Sequence, residues 1–141
     1  MTIKEHEAAL ANEINSLGDC FNQYSYLISK SSELAPMIEI FRTDENLVSG
    51  CQSKVWLTLQ SDDRGRITFL ADSDTLIIKG LLALFCELIN GRCASEIADA
   101  PFDFLDKTDL GLTFTSERIT GITKIIERIR AEAEALYVTS I

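Results

Sequence analysis

The sequence predicts an α+β fold, a three-stranded antiparallel sheet packed against several helices, in one domain spanning residues 1–141. Three observations carry this expectation. Residues 53–60 and 66–71 alternate polar and apolar, with β-branched and aromatic members, at the period of a strand. Between them, Ser61-Asp62-Asp63-Arg64-Gly65 is a hairpin turn signal. Residues 76–89 are apolar on almost every face, the pattern of a helix buried on all sides. A chain of 141 residues with 46% hydrophobic content buries roughly two-thirds of its unfolded surface, enough to fold without disulfides or a structural metal.

Taken in order, residues 3–17 form a polar helix with a thin stripe of Ile3, Leu10, Ile14 and Leu17. Gly18-Asp19 breaks it, with Asp19 as N-cap of a second helix over residues 20–34. Cys20, Phe21, Tyr24, Leu27 and Ile28 recur there at helical spacing, so Cys20 is expected in the core. Ala35-Pro36 ends that helix. An irregular stretch over residues 37–46, packed through Ile38 and Phe41, leads to a short strand at Leu47-Val48. Two further strands follow, at 53–60 and 66–71.

Asp72-Ser73-Asp74-Thr75 is a dense N-cap signal for the central helix, and Gly91 is its stop. Gly80 inside that helix costs ~1 kcal/mol relative to alanine. The cost implies close approach of another backbone, the sheet or the loop at residue 51. Cys86 and Cys93 are expected to serve packing. Two short helical turns flank Pro101, and Thr115 caps a last amphipathic helix. Its apolar face is Ile119, Ile122, Ile126, Ile129, Ala133 and Leu136.

Composition narrows the function. A net charge of −9 argues against nucleic acid, whose phosphates are met by clustered Lys and Arg, and suits a complementary protein partner. Residues 76–89 are interrupted by Lys79 and Glu87 and fall short of the ~20 residues of a membrane span. The start lacks a basic region followed by an apolar run, so a cytoplasmic location with reduced thiols is expected. With one histidine and no Cys-x-x-Cys pair, no metal site is expected.

The chemistry-bearing candidate is Cys51. Gly50 before it permits a tight turn, which places the thiol at a loop tip between two strands. A thiol reacts through its thiolate, favoured by exposure, turn amides or a nearby cation; the alternative is a buried structural cysteine. His6 lies on a polar helix, and no Cys–His dyad is indicated. Arg118 is the second candidate. A cation in the first turn of a helix opposes the dipole, which pairing with a carboxylate or stabilising a thiolate offsets. The alternative is solvent, or Asp72 or Asp74. Gln52, Ser53 and Trp56 shape the loop and anchor its strand.

Gly50-Cys51-Gln52-Ser53, one variable residue, then Val55-Trp56 resembles the signature of SufE-type sulfur-acceptor proteins, SufE and its relative CsdE. The likeness extends along the chain through Tyr24, Leu34-Ala35-Pro36, Asp72-Ser73-Asp74, Lys79-Gly80-Leu81, Gly91, Glu96-Ile97, Thr115, Arg118 and Gly121. It departs at Ser31-Ser32, at Ser116, and at Glu117, where the family usually has serine. The resemblance implies that Cys51 takes persulfide sulfur from a PLP-dependent cysteine desulfurase, stimulates that enzyme and passes the sulfur to an iron–sulfur scaffold.

It further implies supporting roles for Gly50, Gln52, Ser53, Trp56, Asp74 and Arg118, a fold like that of U-type scaffolds, and an accessory protein that is not itself an enzyme. PLP would belong to the partner, so the chain needs no cofactor. The alternatives are an iron–sulfur scaffold and a non-catalytic interaction module.

Overall fold

The structure is a computed structural model that describes residues 1–140. Helix α1 (Ile3–Asn15) starts on a capping box. Thr2 Oγ1 accepts from the Glu5 N–H, and the Glu5 carboxylate accepts from the Thr2 N–H. Helix α2 (Cys20–Ser29) starts on Asp19, as its sequence predicts. It is shorter than expected, because residues 30–33 tighten into a 3₁₀ turn.

The buried face of α2 is also rotated from the predicted one. Cys20 and Phe21 are exposed, while Gln23 and Leu27 are fully buried. Gln23 is drawn inward because its amide donates to the Gly18 carbonyl and accepts from the Asp109 N–H, satisfying two backbone groups. Two more 3₁₀ turns, Glu39–Phe41 and Asp44–Asn46, carry the chain to the sheet. Met37 is buried there, and Ile38, expected inside, is 63% exposed.

Strands β1 (Val55–Ser61) and β2 (Ile67–Ser73) pair antiparallel, with Val55 opposite Ser73 and Ser61 opposite Ile67. The predicted third strand is reduced to a single bridge between Leu47 and Trp56, with the Val48 N–H donating to the Val55 carbonyl at 2.8 Å. The two-stranded sheet has a physical reason. Beyond Trp56, the free edge of β1 is met by a carboxylate: Glu132 Oε1 accepts from the Leu59 N–H at 2.9 Å. The far edge of β2 is closed by Asn90, which accepts from the Phe69 N–H, and by backbone bonds of Ile67 to Gly91 and Arg92. Edges satisfied in this way offer no place for another strand.

Asp72 and Ser73, predicted to cap the central helix, are instead the last residues of β2. Helix α3 (Leu76–Ile89) is buried over most of its surface and packs on β2, α1 and α2. The close approach at Gly80 is made by α2, not by the sheet or the residue-51 loop. A Cβ on Gly80 would lie 1.8 Å from the Leu27 carbonyl oxygen.

Two short helices, α4 (Ala94–Asp99) and α5 (Leu110–Thr113), lead to the long helix α6 (Ser116–Ser140), which packs on α4 and β1. Its buried stripe is Ile122, Ile125, Ile129 and Ala133, whereas Ile119 is exposed. Among the described residues, no helix is long and apolar enough to cross a membrane.

Candidate functional site

Cys51 lies between Leu47, which bridges to Trp56, and the start of β1 at Val55, in a loop that the sequence holds in place residue by residue. Gly50 takes φ = +89°, a conformation that L side chains rarely adopt. A Cβ added there would meet the stem of Lys124 at 3.1 Å, so the α6 lysine lies across the loop. On the other side the loop is tied to the β2–α3 junction. The Lys54 N–H donates to Asp74 Oδ1 at 3.1 Å, the Asp74 N–H donates to the Lys54 carbonyl at 3.3 Å, and the Ser53 and Thr75 hydroxyls share a bond of 2.6 Å. Trp56 anchors the approach: Arg42 stacks 4.6 Å from its ring centroid and pairs with Asp72 at 2.6 Å.

The Cys51 thiol points inward. It is half-buried, its Sγ–H donates to the Gly121 carbonyl at 3.5 Å, and burial pushes its pKa up. It lines a small cavity that also includes Gln52, Ser53, Ile78, Glu117, Arg118 and Gly121. Thr115 caps α6 as predicted, its hydroxyl accepting from the Arg118 N–H at 3.2 Å. The cap sets the first turn of α6, which carries Glu117 and Arg118, beside the cysteine loop.

Arg118 does not reach Asp72 or Asp74, the carboxylates its sequence position suggested. Asp72 is taken by Arg42 and Lys79, and Asp74 by the Lys54 N–H and the Thr75 hydroxyl. Arg118 Nη1 is buried and has no hydrogen-bond partner among the described residues. A buried guanidinium N–H without an acceptor is costly. Its place on the cavity wall makes it a ready donor to an anionic atom entering there.

The structure thus gathers Cys51, Gln52, Ser53 and Arg118 around one cavity. Gly50, Asp74 and Trp56 stand behind it as supports of the loop. Five residues of the wall were not singled out as site residues from the sequence: Val55, Ile78, Glu117, Gly121 and Ile125. The last two follow Arg118 at i+3 and i+7, one face of a helix, and that periodicity was the signal available.

The remaining thiols are scattered. Cys20 and Cys93 are exposed, and Cys86 is half-buried on α3, its Sγ–H donating to the Phe69 carbonyl. Burial raises the Cys86 pKa to about 11, while hydrogen bonds from Ser95 and the Glu96 N–H lower that of Cys93. Among the described residues, no group of three or more His, Cys, Asp or Glu side chains is placed to hold a metal ion.

Residues 8–133 match the family model described as SufE, Fe-S metabolism associated domain. An uncharacterized SufE-like protein of Rhizobium meliloti is 37% identical over 118 residues, covering 80% of this chain and 84% of the relative. The cysteine desulfuration protein SufE of Wigglesworthia glossinidia brevipalpis is 33% identical over 133 residues, covering 90% of this chain and 91% of the relative. The solution structure of a hypothetical protein from Thermus thermophilus shares the fold, with a TM-score of 0.80 over 98% of this chain and 99% of that one, at 16% identity.

Proposed function

The chain belongs to the SufE family and so has a role in Fe-S metabolism; on that premise we propose that it is a covalent sulfur carrier with Cys51 as the acceptor. The observation that supports this reading best is the shared cavity. It combines a thiol on a pinned loop with a buried guanidinium N–H that lacks an acceptor.

The donor is a persulfide on a cysteine desulfurase. The Cys51 thiolate attacks the terminal sulfur of that persulfide, the donor's S–S bond breaks, and the donor cysteine leaves as a thiolate. One sulfane sulfur moves and no electrons are gained or lost overall. The proton released from Cys51 goes to the departing thiolate or to solvent. An oxygen nucleophile cannot replace Cys51, because only a thiol yields a persulfide on accepting sulfane sulfur.

In the free protein the thiol is protonated and turned toward Gly121, so transfer requires the Sγ–Gly121 contact to break. Arg118 then favours the ionised sulfur. Removing sulfur from the desulfurase raises its turnover, and the loaded chain passes the atom to a scaffold. The chain itself catalyses no net reaction in this scheme.

Incubation with a desulfurase and free cysteine, followed by mass spectrometry, tests the proposal. The expected result is one added sulfur on the peptide holding Cys51, lost in Cys51→Ser and retained when Cys20, Cys86 or Cys93 is replaced. Sulfur found only on another cysteine would overturn it. Full stimulation of a desulfurase by Cys51→Ser would favour a plain interaction module instead.

A further inference from the structure

The Cys51 thiol has to leave its resting place to meet a donor. The cavity it lines has a volume of about 20 Å³, room for a single water, and the Sγ–H is turned toward the Gly121 carbonyl. The loop that carries it is pinned at both ends. On the exit side the Ser53 hydroxyl meets that of Thr75, and the Lys54 N–H donates to Asp74. On the entry side Arg128 donates to the carbonyls of Glu45 and Leu47, and the Val48 N–H donates to the Val55 carbonyl. Among the described residues, Ser49, Gly50 and Gln52 make no hydrogen bond, and all three are exposed. Residues 49–52 therefore form a short span between fixed points, with a glycine in it that can turn.

One side chain lies across that span. Carbons of the Lys124 stem stand 3.1, 3.3 and 3.4 Å from the position a Gly50 Cβ would take, so the lysine fills the space a side chain there would need. Gly121, Lys124 and Arg128 follow one another at i, i+3 and i+7 on one face of α6. They meet Cys51, Gly50 and Leu47 in turn. Arg128 fixes the end of the entry arm, Gly121 receives the thiol, and Lys124 covers the hinge between them. Its ammonium does little to keep it there: the ion pair with Glu127 is 3.5 Å long and both side chains are about half exposed. The stem stays by packing, as long cationic side chains do when they lay their methylenes on a surface and leave the charge in water.

We propose that Lys124 is a positioning residue for sulfur transfer: its stem is a strap over Gly50 that keeps Cys51 facing Gly121, and the thiol meets its donor when the strap lifts. The role in transfer rests on the reading of Cys51 as the sulfur acceptor; the strap itself is testable with no sulfur donor present. Lys124 makes and breaks no covalent bond. It sets the fraction of molecules whose thiol faces outward, and a donor that engages only those molecules binds more weakly by that fraction.

The test is alkylation of the full chain by iodoacetamide, followed by peptide mass spectrometry. Cys93 is the internal reference, since it bridges to Arg66 at the end of the sheet away from the cysteine loop. Lys124→Ala removes the strap, and Lys124→Met keeps a stem without the charge. Expected is a Cys51 rate, relative to Cys93, about tenfold higher in Lys124→Ala, equivalent to ~1.4 kcal/mol in the opening equilibrium, and near the native value in Lys124→Met. A lysine that only favoured the thiolate would give the opposite sign, slowing Cys51 in both variants alike. An unchanged ratio in Lys124→Ala, or equal acceleration in the two variants, would overturn the strap. With a desulfurase and cysteine, Lys124→Ala should load Cys51 at a lower half-saturating concentration than the native chain, with the same rate at saturation. An unchanged half-saturating concentration would overturn the role in transfer. Sulfur absent from Cys51 in the native chain would overturn the carrier reading, while the alkylation ratio would still decide the strap.

Discussion

Cys51 and Cys93 are set apart by their surroundings more than by their neighbours in sequence. Burial raises the Cys51 pKa, so its thiolate becomes abundant only above the ordinary cysteine range; hydrogen bonds to the exposed Cys93 act in the opposite direction. In the free protein at neutral pH, iodoacetamide should therefore modify Cys93 before Cys51, as peptide mass spectrometry of a time course would show. Cys51 alkylated first would mean that the thiol does not rest against Gly121. Glu7 is a second displaced group, with a pKa raised by burial and by the Asp103 carboxylate. Because its folded pKa exceeds the unfolded one, the folded state holds the proton more tightly, and stability falls as pH rises from the ordinary carboxylate value through the folded one. Glu7→Gln should flatten that fall in a series of urea melts between pH 4 and pH 7; an unchanged slope would show that Glu7 is not its source. At this scale the sequence made Cys51 legible, through its glycine and the motif around it. The acceptor-free Nη1 of Arg118 was not legible, since it depends on Asp72 and Asp74 being occupied by residues elsewhere in the chain, Arg42 among them.

Helices with strong periodicity or caps were readable one at a time. Asp19 and Thr115 cap the helices they precede because a short polar side chain reaching a free N–H is a local matter. The rotation of α2 is not local: Gln23 is buried because Asp109, far along the chain, needs an acceptor. Gly80 lies between these cases. Its sequence position announces a close approach, but only the fold names Leu27 as the neighbour. Since the obstruction is a carbonyl oxygen 1.8 Å from the added Cβ, Gly80→Ala forces α2 and α3 apart. It should cost at least ~3 kcal/mol, the upper part of the range for overpacked cores. Chemical denaturation would check this, and a loss below ~1 kcal/mol would mean that the two helices separate easily. Asp74 acts on the loop element. Asp74→Ala removes the acceptor for the Lys54 N–H and should speed amide hydrogen exchange at residues 50–54 without a comparable change in α3.

Across the whole molecule, one half-buried carboxylate joins three parts. Glu132 on α6 accepts from Leu59 and Thr58 on β1 and from Arg128, and Arg128 in turn donates to the carbonyls of Glu45 and Leu47 on the approach to the cysteine loop. Glu132→Ala leaves the Leu59 N–H and the Arg128 guanidinium without this acceptor. It should lower stability by about 1.5–3 kcal/mol, the scale of hydrogen bonds to a charged group. A loss within experimental error would show that water replaces the carboxylate at no cost. The same carboxylate explains why two strands form where alternation and turn signals suggested three. Periodicity, turn chemistry and caps act over a few residues, which is why the α+β class, the hairpin, the buried central helix and the cysteine at a glycine-hinged loop can be read from the chain before it folds. The strand count, the inward turn of the thiol and the gathering of Glu117 and Arg118 beside it emerge from contacts between distant segments. Those depend on which hydrogen-bonding groups distant segments leave unsatisfied once the core has closed.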